Sequence, residues 1–165
     1  MSAVDTDGRK DFDFLFGRWR MHNRKLVDLF EPDAQEWVEF ASTLEAEPLL
    51  GGLANIDRYS APAIPDRPPL EGVTLRLFNP DTGLWAIWWC STTRPGVMDP
   101  PVVGRFSNGG GRFECDDVLN GRPARVRYDW TDITATSARW AQSCSWDGGH
   151  AWKTNWVTVL TRDET

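Results

Sequence analysis

The stretch GVTLRLFNPDTGLWAIWWCS, residues 72–91, indicates how this chain folds. Two runs of apolar and β-branched residues, at about 71–79 and 84–92, flank the turn Asn79-Pro80-Asp81-Thr82-Gly83. Proline fixes φ near the start of such a turn, and glycine supplies the positive φ that its end needs. The stretch therefore predicts two antiparallel strands joined by a tight turn.

The rest of the chain repeats this pattern, with extended segments separated by turns rich in Gly, Pro, Asn and Asp. Strands are predicted at about 19–30, 36–47, 53–60, 71–79, 84–92, 101–107, 111–119, 124–132, 137–146 and 151–162. Because each strand can reach the next through a hairpin, we predict an all-β fold, an antiparallel meander of about ten strands. Closure into a barrel removes its two exposed edges, and a barrel of more than eight strands leaves room for a ligand.

The segment before the first strand has a different character. Asp11 to Phe16 carries three Phe and one Leu, which predicts a short helical turn before Gly17 that plugs or covers part of the barrel. Residues 1–10 are polar and are predicted to fray. Residues 1–165 together are predicted to form one domain, since the length suits a single core.

Composition and charge exclude several classes of protein. A formal net charge of -6 argues against a nucleic-acid partner, because phosphate binding needs clustered Lys and Arg. The sequence has no apolar run long enough for a transmembrane helix and no signal-peptide pattern, so we expect a cytoplasmic protein without a membrane partner. Cys90, Cys115 and Cys144 are too widely spaced to indicate a disulfide framework or a zinc site, and no metal ligand is predicted.

Several stretches carry a family resemblance. Phe14-Leu15-Phe16-Gly17-Arg18-Trp19 is similar to the G-x-W signature of lipocalins and other calycins. Other stretches resemble a bacterial family of calycin-like proteins known as domain of unknown function 1579: LFNPDTGLW at 77–85, PVVGRF at 101–106, GRP at 121–123, SARW at 137–140, DGG at 147–149, Trp152 and NW at 155–156. The likeness spans about residues 12–162 and implies a barrel with no established activity. It also implies a distant likeness to nitrobindins, which carry haem on a barrel-lining His.

The two His residues make haem binding the weakest of our hypotheses. His22 shares a strand face with Arg20 and Arg24, so the alternation of strand side chains predicts that it points outward. His150 lies in a predicted turn, where side chains face water. We therefore predict no cofactor, and the same shortage of His argues against a nucleophile-His-acid triad.

The segment from Ser145 to Trp152 matches the S-x-D-x-G-x-x-W pattern of the Asp-box hairpin. In that motif the side chain of Asp147 bonds turn amides, a Gly adopts positive φ and the Trp packs under the hairpin. We interpret the motif as structural.

Asp116 and Asp117 lie on opposite faces of their strand, and the apolar positions Phe113 and Cys115 place Asp117 inward. An inward carboxylate needs an Arg, a hydroxyl or a ligand as partner, because an unpaired buried charge is costly. Alternatively, Asp117 stays hydrated near the end of its strand.

The Trp residues near the C-terminus are the most informative feature for function. Alternation predicts inward faces formed by Val126, Tyr128 and Trp130, by Ala138, Trp140, Gln142, Cys144 and Trp146, and by Trp152, Thr154, Trp156 and Leu160. Because consecutive strands pair, these side chains form either an aromatic cavity wall or a ring-filled lumen. Such a wall with a few polar groups suits a small planar ligand. The candidate ligand-binding residues are Trp89, Asp117, Tyr128, Trp130, Trp140, Gln142 and Trp156.

The strand at 84–92 is apolar on both faces, with Trp88 on one and Trp85 and Trp89 on the other. Something must cover its outer face, because exposed Trp patches are rarely left bare. We expect either the Phe12 to Phe16 segment or a second copy of the chain in a homodimer.

These patterns favour a protein that binds a small apolar or aromatic molecule without covalent chemistry. The alternative is an enzyme that uses the same pocket, a cyclase, isomerase or decarboxylase in which Asp117 or Tyr128 moves one proton. Haem binding through His22 is the third hypothesis.

Overall fold

Ten strands alternate with turns along the chain. The computed structural model describes residues 8–164. Its strands are Gly17–Leu26 (β1), Trp37–Leu49 (β2), Ala54–Ala61 (β3), Leu70–Asn79 (β4), Leu84–Ser91 (β5), Val102–Ser107 (β6), Gly110–Leu119 (β7), Arg122–Thr131 (β8), Ser137–Ser145 (β9) and Lys153–Arg162 (β10). Short 3-10 turns lie at Gly8–Lys10, Asp13–Leu15 and Leu50–Gly52. The turn predicted within Asp11 to Phe16 is confirmed. The fraying predicted for residues 1–10 concerns mainly residues 1–7, which lie outside the described residues.

The sheet closes on itself as the turn pattern predicts. Each strand pairs antiparallel with the strand before it in the chain, and β1 also pairs with β10. In that closing pair, Trp19 lies opposite Arg162 and Lys25 lies opposite Trp156. The predicted closed meander barrel of about ten strands is confirmed. Because the barrel closes, every strand has a hydrogen-bonded neighbour on both sides.

Turn residues with positive φ set the hairpins. Gly83 has a φ of 70° in the turn between β4 and β5, where Asn79 O accepts its N–H at 2.8 Å. Asn108 and Gly109 both have positive φ in the two-residue loop between β6 and β7. That conformation twists a hairpin in the sense of its strands, and Asn-Gly adopts it at low steric cost.

The N-terminal segment plugs one end of the barrel from the inside. Phe12 is fully buried, with its ring centroid 4.9 Å from those of both Trp85 and Phe106. The Arg162 guanidinium donates to the backbone oxygens of Phe14 (2.7 Å) and Phe16. This end of the barrel, which holds the starts of β1, β3 and β5, is therefore closed by aromatic packing.

The plug does not cover the outside of β5, so that part of the prediction is wrong. Phe12 packs on the inner face of β5, since it contacts Trp85, whereas Trp88 lies on the outer face and is only partly buried. Val73 and Val103 on the neighbouring strands stay exposed on the same outer surface. A homodimer formed through this surface stays a prediction.

A β-bulge in β10 changes the predicted faces of the last strand. The pairing of β9 with β10 shifts between Thr154 and Trp156, which places Asn155 inside the barrel, 2% exposed. Thr154 is exposed, and Trp152 lies outside the lumen with the Arg127 guanidinium 3.7 Å from its ring centroid. The prediction that Trp152 and Thr154 share an inward face with Trp156 is therefore wrong, because one extra residue reverses the alternation.

The barrel wall has its fewest paired residues between β5 and β6. β6 pairs with β5 through only three residue pairs, so the end of β5 from Trp88 onward has no partner in β6. The loop at 92–101 covers this gap, and its Asp99 N–H donates to the Trp89 carbonyl oxygen at 2.9 Å. Among the described residues, no helix is both long and apolar enough to cross a membrane.

Candidate functional site

An aromatic cavity lies inside the barrel. Its volume is about 70 Å³. Side chains from every strand except β6 and β7 line it: Met21, Leu44, Asp57, Tyr59, Thr74, Arg76, Ile87, Trp89, Tyr128, Trp130, Trp140, Gln142, Trp156 and Thr158. The rings occupy most of the lumen, and the cavity is the space that they leave.

Six of the seven predicted site residues line this cavity: Trp89, Tyr128, Trp130, Trp140, Gln142 and Trp156. They come from β5, β8, β9 and β10, which bring them together as strand alternation predicts. Their role in binding a ligand stays a prediction.

Asp117 does not line the cavity. It lies near the end of β7, where its own Oδ1 accepts the N–H of Val118 at 2.7 Å. It borders a shallow surface depression together with Asp116 and Arg125. The alternative prediction for Asp117, a carboxylate near the strand end, describes its position, and the structure does not bring it together with the other six candidate residues.

Asn23 anchors half of the aromatic wall. This residue of β1 is fully buried, and its Oδ1 accepts hydrogen bonds from Tyr59 Oη at 2.8 Å and from Trp156 Nε1 at 3.1 Å. Its Nδ2 donates to Ser42 Oγ at 2.8 Å and to the backbone oxygen of Phe40. One amide therefore fixes two rings of the wall in orientation.

The other half of the wall is held by packing alone. The indole N–H groups of Trp89 and Trp140 and the hydroxyl of Tyr128 have no hydrogen-bond partner among the described residues. Trp140 contacts Tyr128 and Trp156 edge to face, with centroids 5.1 and 5.4 Å apart. Burial, with a smaller effect of the Asp99 charge, raises the pKa of Tyr128. Its hydroxyl therefore stays protonated and is available to a bound molecule as a neutral donor.

Gly72 sets the position of Trp89, one of the rings that lack a hydrogen bond. The Trp89 indole lies directly over Gly72 of β4, where a Cβ would come within 2.0 Å of the ring. The close approach of a ring to the backbone requires the glycine, which otherwise weakens a strand. This close approach therefore sets the position of the Trp89 ring.

A buried ion pair forms the polar part of the cavity. Arg76 Nη2 donates to Asp57 Oδ2 at 2.6 Å, and Arg76 Nη1 donates to Asn55 Oδ1 at 2.9 Å. The side chains of Arg76 and Asp57 are only 4% and 2% exposed. Such a pair needs good geometry and further hydrogen bonds to offset the desolvation of both charges.

Several polar atoms of this region have no partner. Among the described residues, five buried side-chain atoms lack a hydrogen bond, and four of them are Asp57 Oδ1, Arg76 Nε, Asn55 Nδ2 and Thr158 Oγ1. An unsatisfied buried polar group costs about 1–3 kcal/mol, so such groups mark functional positions or sites filled by water. Asp57, Arg76 and Thr158 also line the cavity.

Sequence reasoning missed Asp57, Arg76 and Thr158, although a signal was present. On β4 the inward position of Phe78 puts Arg76 and Thr74 on the same face. A charged residue that shares an inward strand face with Leu70 and Phe78 is unusual, and it predicts a buried partner.

Lys25 lies at the end of the barrel opposite the plug. It occupies an inward position near the end of β1, with its Nζ 4.2 Å from the ring centroid of Trp156. Burial, together with the charge of Arg67, lowers the pKa of Lys25 to about 8. The amine therefore adds positive charge next to a ring of the wall.

Neither His lies in the cavity. His22 is 63% exposed on the outside of β1, with its Nε2 3.0 Å from Glu39 Oε1. His150 is exposed in the hairpin after β9, where Asp147 Oδ1 accepts its backbone N–H. The Asp-box geometry is present, with Asp147 Oδ1 also accepting from Ala151 and Gly148 at a φ of 76°. Among the described residues, no group of His, Cys, Asp and Glu could hold a metal ion.

The fold and the cavity define this protein as a closed ten-stranded antiparallel barrel with an internal aromatic pocket. The chain is similar to the S-type phycobiliprotein lyase from Guillardia theta, with a TM-score of 0.66 and 10% identity over 97% of this chain and 94% of that one. It is also similar to a de novo designed fluorescence-activating β-barrel, with a TM-score of 0.48 and 14% identity over 96% of this chain and 99% of the design.

At 10% identity the first likeness shows the fold alone. No protein-family model and no curated protein sequence matches the chain. The likeness to domain of unknown function 1579 and to nitrobindins therefore stays a prediction.

Proposed function

We propose that this protein binds a small aromatic molecule in the barrel cavity. The observation that carries the proposal is an aromatic wall inside the barrel that also presents buried polar atoms without partners. Binding sites for small molecules combine apolar and aromatic walls with a few polar groups that fix orientation. No covalent step is required.

The size of the cavity limits the ligand to about one ring. An apolar cavity of about 150 Å³ is known to hold benzene, which is roughly twice the 70 Å³ found here. A ring therefore enters only if part of the wall moves. Trp140 and Tyr128 can make this movement, because packing alone holds them, whereas hydrogen bonds to Asn23 fix Tyr59 and Trp156.

We do not propose the haem or Asp117-based alternatives. His22 points away from the lumen, and the lumen lacks the space for a macrocycle. Asp117 borders a different depression and does not line the cavity, so it is not placed to move a proton on a molecule held there.

The test is a binding titration of benzene, toluene and phenol, measured by ligand-observed NMR and calorimetry. Thr158→Leu adds volume inside the cavity and should weaken binding at least tenfold, because overpacked cores resist further occupation. Thr161→Leu adds the same volume on the exposed outer face of β10 and should leave the affinity unchanged. Circular dichroism checks that both variants fold. Equal affinities in Thr158→Leu and the native protein would contradict binding in the cavity.

A further inference from the structure

We infer that the ligand of this cavity carries an N–H or O–H hydrogen-bond donor on its ring, and that Asp57 and Thr158 select it. The inference rests on the proposed function, because it concerns the same cavity. The expected ligands are therefore small phenols and N–H heteroaromatic rings rather than hydrocarbons.

The first observation is the free oxygen of Asp57. Its Oδ2 accepts from Arg76, whereas its Oδ1 is buried without a partner, in a residue that is 1% exposed and lines the cavity. An ionised carboxylate only accepts hydrogen bonds. Whatever occupies the cavity beside Oδ1 must therefore donate a hydrogen to it.

The second observation is the hydroxyl of Thr158 on another strand. Thr158 is also 1% exposed and lines the cavity, and its Oγ1 has no partner. A hydroxyl rotates to donate or accept, so it can bond the same ring substituent or a second one. Both residues lie on inward positions, in β3 and in the part of β10 beyond its bulge, and the paired strands hold their side chains in place.

Because a ligand competes with water for these free atoms, they favour ligands that can donate a hydrogen bond. The polar part of this cavity, formed by Asp57, Arg76 and Thr158, suits water, which bonds to such atoms when no ligand is present. A ligand that displaces water without reproducing its hydrogen bonds loses affinity. Toluene would leave Asp57 Oδ1 without a donor, whereas the hydroxyl of phenol, which is the same size as the methyl group, can replace the water.

The charge of the site indicates a neutral donor. Arg76 already balances the charge of Asp57, with its Nη2 2.6 Å from Oδ2, so a cationic ligand is not needed for neutrality. A ligand carboxylate would place its own lone pairs against Oδ1 and would be repelled there, and Arg76 Nε, which also lacks a partner, offers it only one N–H in return. Benzoate is therefore expected to bind at least tenfold more weakly than phenol.

The experiment compares the affinities of phenol and toluene for the native protein, for Thr158→Val and for Thr161→Val. Phenol is expected to bind at least tenfold more tightly than toluene to the native protein, although toluene is the more hydrophobic. Thr158→Val removes the hydroxyl at nearly constant volume and should reduce this ratio at least threefold. Thr161→Val, on the exposed face, should leave the ratio unchanged.

A double variant, Asp57→Leu with Arg76→Met, removes the free oxygen without leaving a buried charge unpaired. In this variant toluene is expected to bind at least as well as phenol, and circular dichroism checks folding. Equal affinities of phenol and toluene for the native protein would overturn the inference and leave the proposed function standing. If neither molecule binds, the proposed function fails, and the inference fails with it.

Discussion

Trp156 Nε1 donates a hydrogen bond to Asn23 Oδ1, 3.1 Å away, and the same oxygen accepts the hydroxyl of Tyr59. Three strands, β1, β3 and β10, therefore meet at one buried amide. This arrangement fixes two of the aromatic rings that line the cavity and leaves Tyr128 and Trp140 to packing. The wall thus has a rigid half and an adjustable half.

Asn23→Ala should lower the free energy of unfolding by about 3 kcal/mol, because it leaves the Tyr59 and Trp156 donors buried and unpaired. Ser42→Ala removes the bond from Asn23 Nδ2 to Ser42 Oγ but keeps the Asn23 amide, and should cost about 1 kcal/mol. Urea denaturation followed by fluorescence measures both. A loss for Asn23→Ala no larger than for Ser42→Ala would contradict the anchoring role of Asn23.

The chain has two Tyr residues, Tyr59 and Tyr128, and burial raises the pKa of both. The folded protein should therefore show almost no tyrosinate absorbance at 295 nm near pH 10–11, where the unfolded protein in guanidinium ionises both. Because the folded values are raised, the stability that these groups contribute is present below about pH 10 and is lost as the pH rises further. Ionisation of either Tyr near pH 10 in the folded protein would show that it is not enclosed.

Lys25→Met should stabilise the protein more at pH 7 than at pH 10. The pKa of Lys25 falls from 10.5 to about 8 on folding, so the unfolded chain binds more protons between these values. The cost of burying the charged amine is therefore complete below about pH 8 and fades as the pH approaches 10.5. The stability difference between variant and native protein should shrink by roughly 1–2 kcal/mol across this range.

Lys10→Met provides the control for this measurement, because Lys10 is exposed in the first 3-10 turn. Its effect on the free energy of unfolding should be small at both pH values. A gain from Lys25→Met that is the same at pH 7 and pH 10 would mean that the amine titrates normally and faces water.

Arg76→Met should cost roughly 3–5 kcal/mol of stability, because it leaves Asp57 as a buried charge without its partner. Arg112→Met breaks the 2.8 Å pair with Asp129, but Arg112 is 60% exposed, so this variant should cost at most about 1 kcal/mol. Denaturant titration separates the two. Similar small losses for both variants would show that water reaches the Asp57 pair.

The strands and turns of this fold could be predicted from the sequence because turn chemistry is local. The turn at Asn79 to Gly83 and the Asn108-Gly109 hairpin both form where Pro and Gly place them. Strand alternation also brought together six of the seven candidate site residues, since the barrel interior follows the period of two.

Other features could not be predicted from the sequence, because they depend on breaks in the two-residue alternation of strands or on contacts between residues far apart in the chain. The bulge at Asn155 turned Trp152 and Thr154 outward, and no single residue type announces a bulge of this kind. Asp117 lies on the inward face of β7, as alternation predicts, but the end of β7 lies beyond the cavity. The height of a residue along the barrel axis is set by the register between strands, which the sequence does not show. The pairing of Asp57 with Arg76 depends on that same register.

The most direct test of the aromatic cavity as a binding site is ¹⁹F NMR of protein labelled with 5-fluorotryptophan, titrated with phenol. The ten Trp residues report separately, and Trp-to-Phe variants assign their signals. We predict saturable shifts at Trp89, Trp140 and Trp156, with the outer-face residues Trp37, Trp88 and Trp152 unchanged. Shifts confined to the outer-face residues, or no saturable shift at any Trp, would contradict it.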